Sequence, residues 1–443
     1  MSDDAALGRF QALLRIPTVS RADPALVDTE AFTRFRAALA ELYPLVHERL
    51  ELDLVDDRHL LYRWPGEGTG RPSVLMAHHD VVPADEPGWS HAPFDPVIEG
   101  AGAEARVRGR GTLDDKGMLV AILEAIETRL AAGFTPAADV YLYSGADEET
   151  AGTGAERAVE LLTSRGVRPG LVLDEGGAVA TGAFPGVEGA VAFVGVTEKG
   201  IAGIRLTVAK KGGHAATPAR NGATTVLARA ILRLERRPAP ARISEPIAAM
   251  MRALAPRAPG IQGRLFARPA RFRAMLARAL ARRGGEAEAM VRTTRAVTRL
   301  TGSAGDNVIA ERATATVNVR IAVGSSVDEA AEQIRRAIGD DEVEVRVVYG
   351  ADPAPVSPSE GPEWERLAGV IARTFPDAII APYVMLQASD ARHFTRISET
   401  VYRFLPFDLT TAERGTLHAI DESIRLTTWR RAIVFFDELL GVL

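Results

Sequence analysis

Cysteine is absent from this sequence of 443 residues. Its absence excludes disulfides, thiolate zinc sites, CxxC redox chemistry and a cysteine nucleophile. Histidine is scarce as well, with eight residues, and lysine occurs only at positions 116, 199, 210 and 211. Any bound metal ion must therefore be held by a small number of histidines together with carboxylates.

Long apolar runs are also missing. No stretch of about 18 apolar residues occurs, and the acidic start Met1-Ser2-Asp3-Asp4 lacks the basic and apolar regions of a signal peptide. The net charge of -5 argues against a dedicated nucleic-acid-binding protein, which would be strongly basic. We therefore expect a soluble, cytoplasmic protein with no membrane span and no nucleic-acid partner.

The chain is too long for one compact core, since single cores stop growing near about 250–300 residues. Short apolar strands at 74–77, 140–143 and 171–173 alternate with predicted helices at 117–132 and 155–165. That order indicates an α/β fold in which helices flank a mixed, largely parallel sheet. Polar site residues are expected at the ends of its strands.

From residue 197 onward the pattern changes to two-faced strands interleaved with helices, which indicates a smaller α+β unit. After Pro353 the α/β pattern resumes, so the smaller unit interrupts the larger one. We predict a catalytic domain formed by residues 1–196 and 352–443. The inserted lid or dimerisation domain is predicted at 197–351 and carries a helical extension.

The helical extension, residues 245–290, is rich in alanine and arginine. Twelve arginines lie between residues 251 and 299, against only Glu286 and Glu288. A solvated basic face is one explanation, and a surface that attracts anionic substrates or anionic lipid is the other. Aromatic residues are sparse in this segment, which disfavours nucleic-acid binding.

Acidic and histidine-containing segments follow the predicted strands or precede a helix. They are His78-x-Asp80, Asp114-Asp115, Asp147-Glu148-Glu149, Asp174-Glu175 and His418-x-x-Asp421-Glu422. Each one alone has an ordinary explanation as a surface pair, a helix cap or a solvated turn. Together they supply ligands suited to a pair of ions such as zinc, and two ions about 3.5–4 Å apart can clamp an attacking water. The templates H-E-x-x-H and G-x-S-x-G are absent.

A series of longer motifs, in order, carries a family resemblance across nearly the whole chain. They are MAHHDVVPA (76–84), GRGTLDDKG (109–117), SGADEETAG (144–152), LDEGG (173–177), KGGHAATP (211–218), RTTRAVTRLTG…NVIAERATATVNVRI (292–321), ASDARHF (388–394), VYRFLPF (401–407) and LHAIDESI (417–424). With them the chain resembles the dinuclear-zinc amidohydrolases that include carboxypeptidase S, aminoacylase and carboxypeptidase G. The last two motifs and the helical extension look most similar to the carboxypeptidase S branch.

The resemblance implies two Zn²⁺ ions per chain, with Co²⁺ or Mn²⁺ as substitutes. The implied ligands are His78 and Glu175 for one ion, Glu149 and His418 for the other, and Asp114 as the bridge between them. In this family the peptide bond between Asp114 and Asp115 is typically cis.

The resemblance also implies the catalytic groups. Glu148 resembles the general base that takes a proton from a zinc-bridging water and later gives it to the leaving amine. Asp80 would orient His78 through its second ring nitrogen. His214, on the inserted domain, resembles the histidine that stabilises the oxyanion, and in dimeric members this histidine comes from the partner subunit.

Three residues are implied to bind the substrate. Asn307 looks like the residue that accompanies the oxyanion histidine, while Arg392 and Arg320 are candidates to bind a free carboxylate. The sequence departs from the family where Gln387 and Ala388 replace a Gly-Gly pair. Each carries a Cβ and should prefer negative φ, which changes the shape expected of the carboxylate pocket.

We therefore predict an enzyme that hydrolyses an amide bond and releases an amino acid. A carboxypeptidase or dipeptidase of the carboxypeptidase S type is the first hypothesis. An N-acyl amino acid amidohydrolase is the alternative, which the apolar helices at 261–281 favour for long acyl chains. A homodimer through the inserted domain is a candidate assembly. A non-enzymatic binding protein is disfavoured because every implied ligand and Glu148 are present.

Overall fold

A computed structural model describes residues 3–85, 87–182, 184 and 186–443. Within these ranges the strands are β1 (Glu51–Val55), β2 (His59–Trp64), β3 (Ser73–His78), β4 (Val97–Glu99), β5 (Arg106–Arg108), β6 (Val140–Gly145), β7 (Leu171–Thr181), β8 (Ala190–Glu198), β9 (Gly200–Ala209), β10 (Gly213–His214), β11 (Thr294–Thr301), β12 (Val308–Ile309), β13 (Arg312–Ile321), β14 (Glu344–Ala351), β15 (Ile379–Met385), β16 (Val401–Leu409) and β17 (Ser423–Arg425).

The helices of the same ranges are α1 (Asp3–Leu14), α2 (Thr29–Leu42), α3 (Pro44–Arg49), α4 (Lys116–Ala131), α5 (Gly154–Ser164), α6 (Ala223–Arg236), α7 (Glu245–Leu254), α8 (Gly260–Phe266), α9 (Arg273–Arg283), α10 (Gly285–Val291), α11 (Val327–Ile338), α12 (Pro362–Thr374), α13 (Ala391–Phe394), α14 (Thr411–Arg414) and α15 (Leu426–Leu440). No helix among the described residues is long and apolar enough to cross a membrane.

One large mixed sheet has the strand order β1-β2-β6-β3-β7-β16-β8-β15. Strand β3 pairs in parallel with β6 and β7, and β16 also runs parallel to β7. The central strands are buried along nearly their whole length, as expected for parallel strands covered on both faces. Helix α4 is buried from Lys116 to Glu127 beneath α15. This architecture confirms the predicted α/β fold with helices flanking a largely parallel sheet.

A second, antiparallel sheet has the order β11-β13-β9-β14. Residues of β13 alternate between buried and partly exposed, because one face of this sheet packs against α6 and α11. The buried face forms its own core, which includes Ile204, Val317 and Ile334. These elements lie between residues 200 and 351, and the division into domains at 1–196, 197–351 and 352–443 stays a prediction.

The arginine-rich extension folds into α7, α8, α9 and α10, which bury their apolar residues against β8 and β15 of the large sheet. Met251 of α7 and Leu276 of α9 share one core cluster with Phe193 of β8. Phe266 of α8 makes an edge contact with the Phe184 ring at 5.6 Å between centroids. The extension therefore covers the sheet edge that lies beside the candidate site.

Candidate metal and catalytic site

The carboxyl ends of neighbouring parallel strands bring the candidate site together. His78 is the last residue of β3 and pairs in register with Gly145, the last residue of β6. Glu148 and Glu149 follow β6 directly in a single 3-10 turn, and Glu175 lies within β7. Parallel strands end at one edge of a sheet, which is where open α/β sheets place their sites.

Asp114 presents one carboxylate oxygen to each of two histidines. Its Oδ1 lies 2.7 Å from Nε2 of His78, and its Oδ2 lies 2.9 Å from Nε2 of His418. The same His418 nitrogen is 3.2 Å from Oε2 of Glu149. The peptide bond between Asp114 and Asp115 is cis, as the resemblance implies. This arrangement is the one that a bridging carboxylate between two ions requires.

The acidic side chains of the site crowd one another. A ring nitrogen of His78 and carboxylate oxygens of Glu148 and Glu175 lie within 4.8 Å of each other, and the same holds for His78, Asp114 and Glu149. Burial, together with neighbouring carboxylates, raises the pKa of Glu148 and that of Glu175 well above their usual values.

One buried oxygen of this cluster, Oε1 of Glu149, has no hydrogen-bond partner among the described residues. An orphaned carboxylate oxygen among other buried acids is costly, and a bound cation removes that cost. Histidine nitrogens and carboxylate oxygens without thiolates are also the donors that zinc, cobalt and manganese accept. The residues present therefore fit a pair of divalent ions.

Asp80 contacts both the ring of His78 and the turn that carries Glu148 and Glu149. Its side chain is fully buried, with Oδ1 3.3 Å from Nδ1 of His78. The same ring nitrogen lies 2.9 Å from the backbone carbonyl oxygen of Asp80, so the side chain and the backbone of Asp80 both orient the ring. The backbone N–H groups of Glu148 and Glu149 donate to the two Asp80 carboxylate oxygens, each at 3.2 Å. Sequence reasoning anticipated the contact with His78 and missed the second one, which depends on how the turn after β6 folds.

Glu422 is a buried residue to which sequence reasoning assigned no role. Its carboxylate accepts a hydrogen bond from Arg110 at 2.8 Å, and both side chains are at most 1% exposed. It also accepts from the backbone N–H groups of Gly111 at 3.2 Å, Leu113 at 2.7 Å and Asp114 at 3.3 Å. Glu422 therefore holds the loop that carries Asp114 beside the segment that carries His418. The only sequence signal was its place in the last motif.

A cavity of about 520 Å³ opens onto the metal-ligand candidates. Asp114, Glu148, Glu149, Glu175 and His418 all line it. Most of the remaining wall is apolar and comes from β7, β8, α10, β15, β16 and the segment between β7 and β8: Ala178, Ala180, Phe184, Phe193, Met290, Tyr383, Met385 and Leu405. Glu286, Thr411 and Arg414 add polar groups to it. The cavity therefore joins a strongly polar region to a hydrophobic one.

The other implied site residues lie outside this cavity wall. His214 is exposed on β10, and its segment meets that of Asn307, whose carbonyl oxygen accepts from the N–H of Ala215 at 3.0 Å. Neither residue, nor Arg320 or Arg392, is among the described residues that line the cavity. The structure therefore brings the implied metal ligands and Glu148 together, whereas these four residues do not line the cavity.

The loop after β15 does contribute to the cavity. Gln387 and Ala388 line it, and neither is among the described non-glycine residues with positive φ. The expectation of negative φ at both positions is confirmed. The loop is anchored by Glu198, which accepts from the N–H of Ser389 at 3.2 Å and pairs with Arg403 at 3.0 Å. Side chains thus occupy space that a glycine pair would leave open.

Comparison with known proteins agrees with the motifs. Residues 74–441 match Peptidase family M20/M25/M40. The chain is 33% identical over 418 residues to Probable carboxypeptidase S-like 2 of Dictyostelium discoideum, covering 92% of this chain and 79% of that protein. It is 32% identical over 438 residues to the human N-fatty-acyl-amino acid synthase/hydrolase PM20D1, covering 97% and 86%.

Among solved structures, the M20 family metallo-carboxypeptidase Sso-CP2 from Sulfolobus solfataricus has the same fold, with a TM-score of 0.72 at 17% identity over 99% of this chain and 98% of that one. The predicted resemblance is confirmed, and so is the predicted enzyme class, a metal-dependent hydrolase. The chain belongs to peptidase family M20/M25/M40.

Proposed function

We propose that this enzyme hydrolyses the amide bond between an apolar acyl group and an amino acid. The observation that carries the proposal is the single cavity in which the acidic cluster meets buried Phe184, Phe193 and Leu405. Its volume falls within the range of about 300–1,000 Å³ that small-molecule sites occupy. Transfer of each methylene of an acyl chain into such a wall is worth about 0.8 kcal/mol.

His78, Glu175, Glu149 and His418 would hold the two ions, with Asp114 between them. Bound zinc, or cobalt or manganese in its place, supplies positive charge that polarises the amide carbonyl and acidifies water. Asp80 fixes the ring of His78 and the backbone of the turn that carries both glutamates. These contacts lie within one chain, and they would hold the metal-ligand atoms in fixed positions.

Glu148 would act as the general base. Its carboxylate faces the cavity, and burial raises its pKa, which improves its ability to take a proton from the attacking water and to return it to the leaving amine. His214 would donate to the oxyanion, and Asn307 would accompany it. Because His214 is exposed and does not line the cavity, a second copy joined through the inserted domain, or closure of that domain, would bring it to the site.

Arg392 and Arg320 would bind the carboxylate of the amino acid. Both interact electrostatically with Glu198. Arg392 opposes the rise that burial causes in the pKa of Glu198, and Glu198 opposes the fall that burial causes in the pKa of Arg320. Glu198 itself anchors the loop of Gln387 and Ala388, which lines the cavity. A carboxylate held there would leave the acyl group to the apolar wall.

Hydrolysis of a peptide with an apolar residue before its C-terminus is the second candidate. The relative named carboxypeptidase S-like favours it, as the human N-fatty-acyl-amino acid synthase/hydrolase favours the first. Both reactions use the same acids and release an amino acid. They differ in what the apolar wall receives, an alkyl chain or a side chain.

The deciding experiment compares N-lauroyl-leucine, N-acetyl-leucine and glycyl-leucine as substrates of the zinc-loaded protein. We expect kcat/KM to be at least tenfold higher for the lauroyl compound than for either other substrate. Glu148→Gln should keep two metal ions per chain and lose activity by a factor of about 100 or more. Preference for glycyl-leucine would favour the second candidate, and a fully active Glu148→Gln would refute the assignment of the base.

A further inference from the structure

We propose that the outer surface of α8 and α9 docks on anionic lipid, so that the enzyme works on amphiphilic molecules held at a lipid–water interface. The identity of those molecules rests on the proposed function, whereas the docking itself does not. Four observations carry it: the charge of the segment, the exposure of its arginines, the exposed apolar side chains among them, and the contact of α8 with the cavity wall.

The charge is concentrated in one stretch. Residues 246–285 contain nine arginines and no aspartate, glutamate or lysine. The whole chain carries -5, so the rest of it carries -14, the difference between -5 and +9. A surface of this sign within an otherwise acidic molecule attracts anions and would be repelled by another copy of the same surface.

Most of these arginines have no acidic partner. Arg252 and Arg273 both pair with Glu245, at 2.8 Å and 3.0 Å. Six others are exposed and form no ion pair within the described part of the chain: Arg264, Arg268, Arg271, Arg278, Arg282 and Arg283. Arg278 and Arg282 stand one helical turn apart on α9, where like charges repel unless an anion lies between them.

Exposed apolar side chains are set among the free arginines. Ile261, at 69% exposure, lies on α8 three residues before Arg264, and Met275, at 45%, lies on α9 three residues before Arg278. Spacing of three places each pair on one helix face. Alternation of arginine with exposed aliphatic side chains is the composition of helices that lie in a membrane interface, with guanidinium groups at the headgroups.

This composition favours lipid over nucleic acid. The aromatic side chains of the segment are Phe266, which is buried, and Phe272, which is half-buried beneath Arg271. No exposed ring among them is available to stack on a base, which single-stranded nucleic acids require. Exposed Ile261 and Met275 would gain nothing from a phosphate backbone, but they lose water contact when they enter the acyl region of a lipid surface.

Of the two helices of the proposed surface, α8 adjoins the cavity, and the neighbouring α10 does so as well. Phe266 of α8 packs against Phe184, which lines the cavity, and Met290 of α10 lines it directly. The outer side of α8 thus carries Ile261 and Arg264 while its inner side supports the apolar wall. A lipid surface bound here would lie close to the cavity that the proposed acyl chain enters.

The test is co-sedimentation of the zinc-loaded full chain with vesicles of 30 mol% phosphatidylglycerol in phosphatidylcholine, against vesicles of phosphatidylcholine alone. Each arginine near an anionic surface contributes about fivefold in partitioning. We therefore expect Arg278→Gln/Arg282→Gln to lower binding about 25-fold. Arg335→Gln/Arg336→Gln on α11 removes the same charge from exposed residues elsewhere and should leave binding within about twofold.

A second pair of variants tests the apolar contribution. Ile261→Ser should weaken binding severalfold, whereas Leu300→Ser on β11, where the side chain is 64% exposed, should have no effect. Equal loss in the α9 and α11 arginine variants would overturn the proposal, because it would show a response to net charge alone. Absence of binding to anionic vesicles, or binding of duplex DNA in preference to them, would also overturn it.

Activity separates this proposal from the proposed function. Hydrolysis of soluble N-acetyl-leucine should be equal in wild type and Arg278→Gln/Arg282→Gln, while hydrolysis of N-lauroyl-leucine carried in anionic vesicles should fall with binding. A protein that binds vesicles but hydrolyses neither compound would refute the proposed function and leave the docking surface intact. A protein that hydrolyses both compounds equally well with and without anionic lipid would refute the role of the surface.

Discussion

Replacing Glu422 by glutamine should lower the free energy of unfolding of the part of the protein built around the large sheet, and it should weaken metal binding as well. The substitution keeps the shape of the side chain but removes the charge that Arg110 faces, and both groups are at most 1% exposed. Breaking one partner of a buried ion pair costs about 3–5 kcal/mol because the other charge stays buried and unpaired. The loss is not relieved by water at this depth.

The backbone contacts add to that cost. The N–H of Gly111 donates to one carboxylate oxygen of Glu422, and the N–H groups of Leu113 and Asp114 donate to the other. Glutamine keeps only one acceptor oxygen, so its NH2 group would face the donors on the other side. An unsatisfied buried donor costs about 1–3 kcal/mol, although the loop can shift to recover part of it. We therefore expect the free energy of unfolding to fall by about 4 kcal/mol. Because Asp114 moves with the loop, zinc affinity should fall about 10-fold or more, as it does when orienting groups of metal ligands are lost.

The assay is urea unfolding of the metal-free protein followed by tryptophan fluorescence. The four tryptophans, at 64, 89, 364 and 429, all lie outside residues 197–351, so this signal follows the large sheet. Asp421→Asn is the matched control, since its carboxylate is 25% exposed and pairs with Arg108 near the surface. Asparagine tolerates the positive φ of 59° at this position. The reasoning is refuted if Glu422→Gln costs no more than Asp421→Asn, for which we expect about 1 kcal/mol or less.

Three further predictions concern the site and its surroundings. Asp80→Asn should lower zinc affinity about 10–100-fold in a competition titration with a chromophoric chelator, because it loosens His78; unchanged affinity would contradict its role. Free zinc at 100 times its Kd should stabilise the protein by about 2.7 kcal/mol per site in thermal unfolding, and a chelator should reverse this. Burial and nearby arginines lower the pKa of His393 to about 4, so the unfolded chain binds its proton first. The free energy of unfolding should therefore decrease as the pH is lowered from about 6.5 to about 4, by at most about 1.4 kcal/mol per pH unit. The decrease should be less steep in His393→Gln.

The two helices at 117–132 and 155–165 were predicted well because apolar spacing, caps and stops are local signals in the sequence. The predicted helix at 117–132 is Lys116–Ala131, and that at 155–165 is Gly154–Ser164. Asp28 caps α2 by accepting from two backbone N–H groups, as an aspartate before a helix should. The strand predicted at 171–173 extends to Thr181, because residues beyond Glu175 pair with β16 and β8. Such pairing joins segments distant in the chain, and no local pattern reports it.

The implied ligand positions came from the family resemblance, and their place along the strands agrees with it. An apolar strand that ends in histidine, as β3 does at His78, places that side chain at the edge of the sheet where sites form. The hydrophobic cavity wall offered no such signal. Phe184, Phe193, Met290 and Tyr383 are ordinary apolar residues of separate elements, and only the packing of α10 and β15 beside β7 assembles them.

The last motif shows where composition stops being informative. Asp421 and Glu422 are adjacent acids with different environments. Asp421 is partly exposed and contacts Ser90 and Arg108, whereas Glu422 is fully buried and pairs with Arg110. The difference follows from the chain path, since positive φ at His418 and Asp421 turns the loop so that Glu422 faces the segment before α4. A buried carboxylate needs a positive charge and N–H groups from elsewhere in the chain. The sequence contains these groups, but it does not indicate which of the two acids they contact. Comparison of Glu422→Gln with Asp421→Asn therefore measures what the fold adds to the motif.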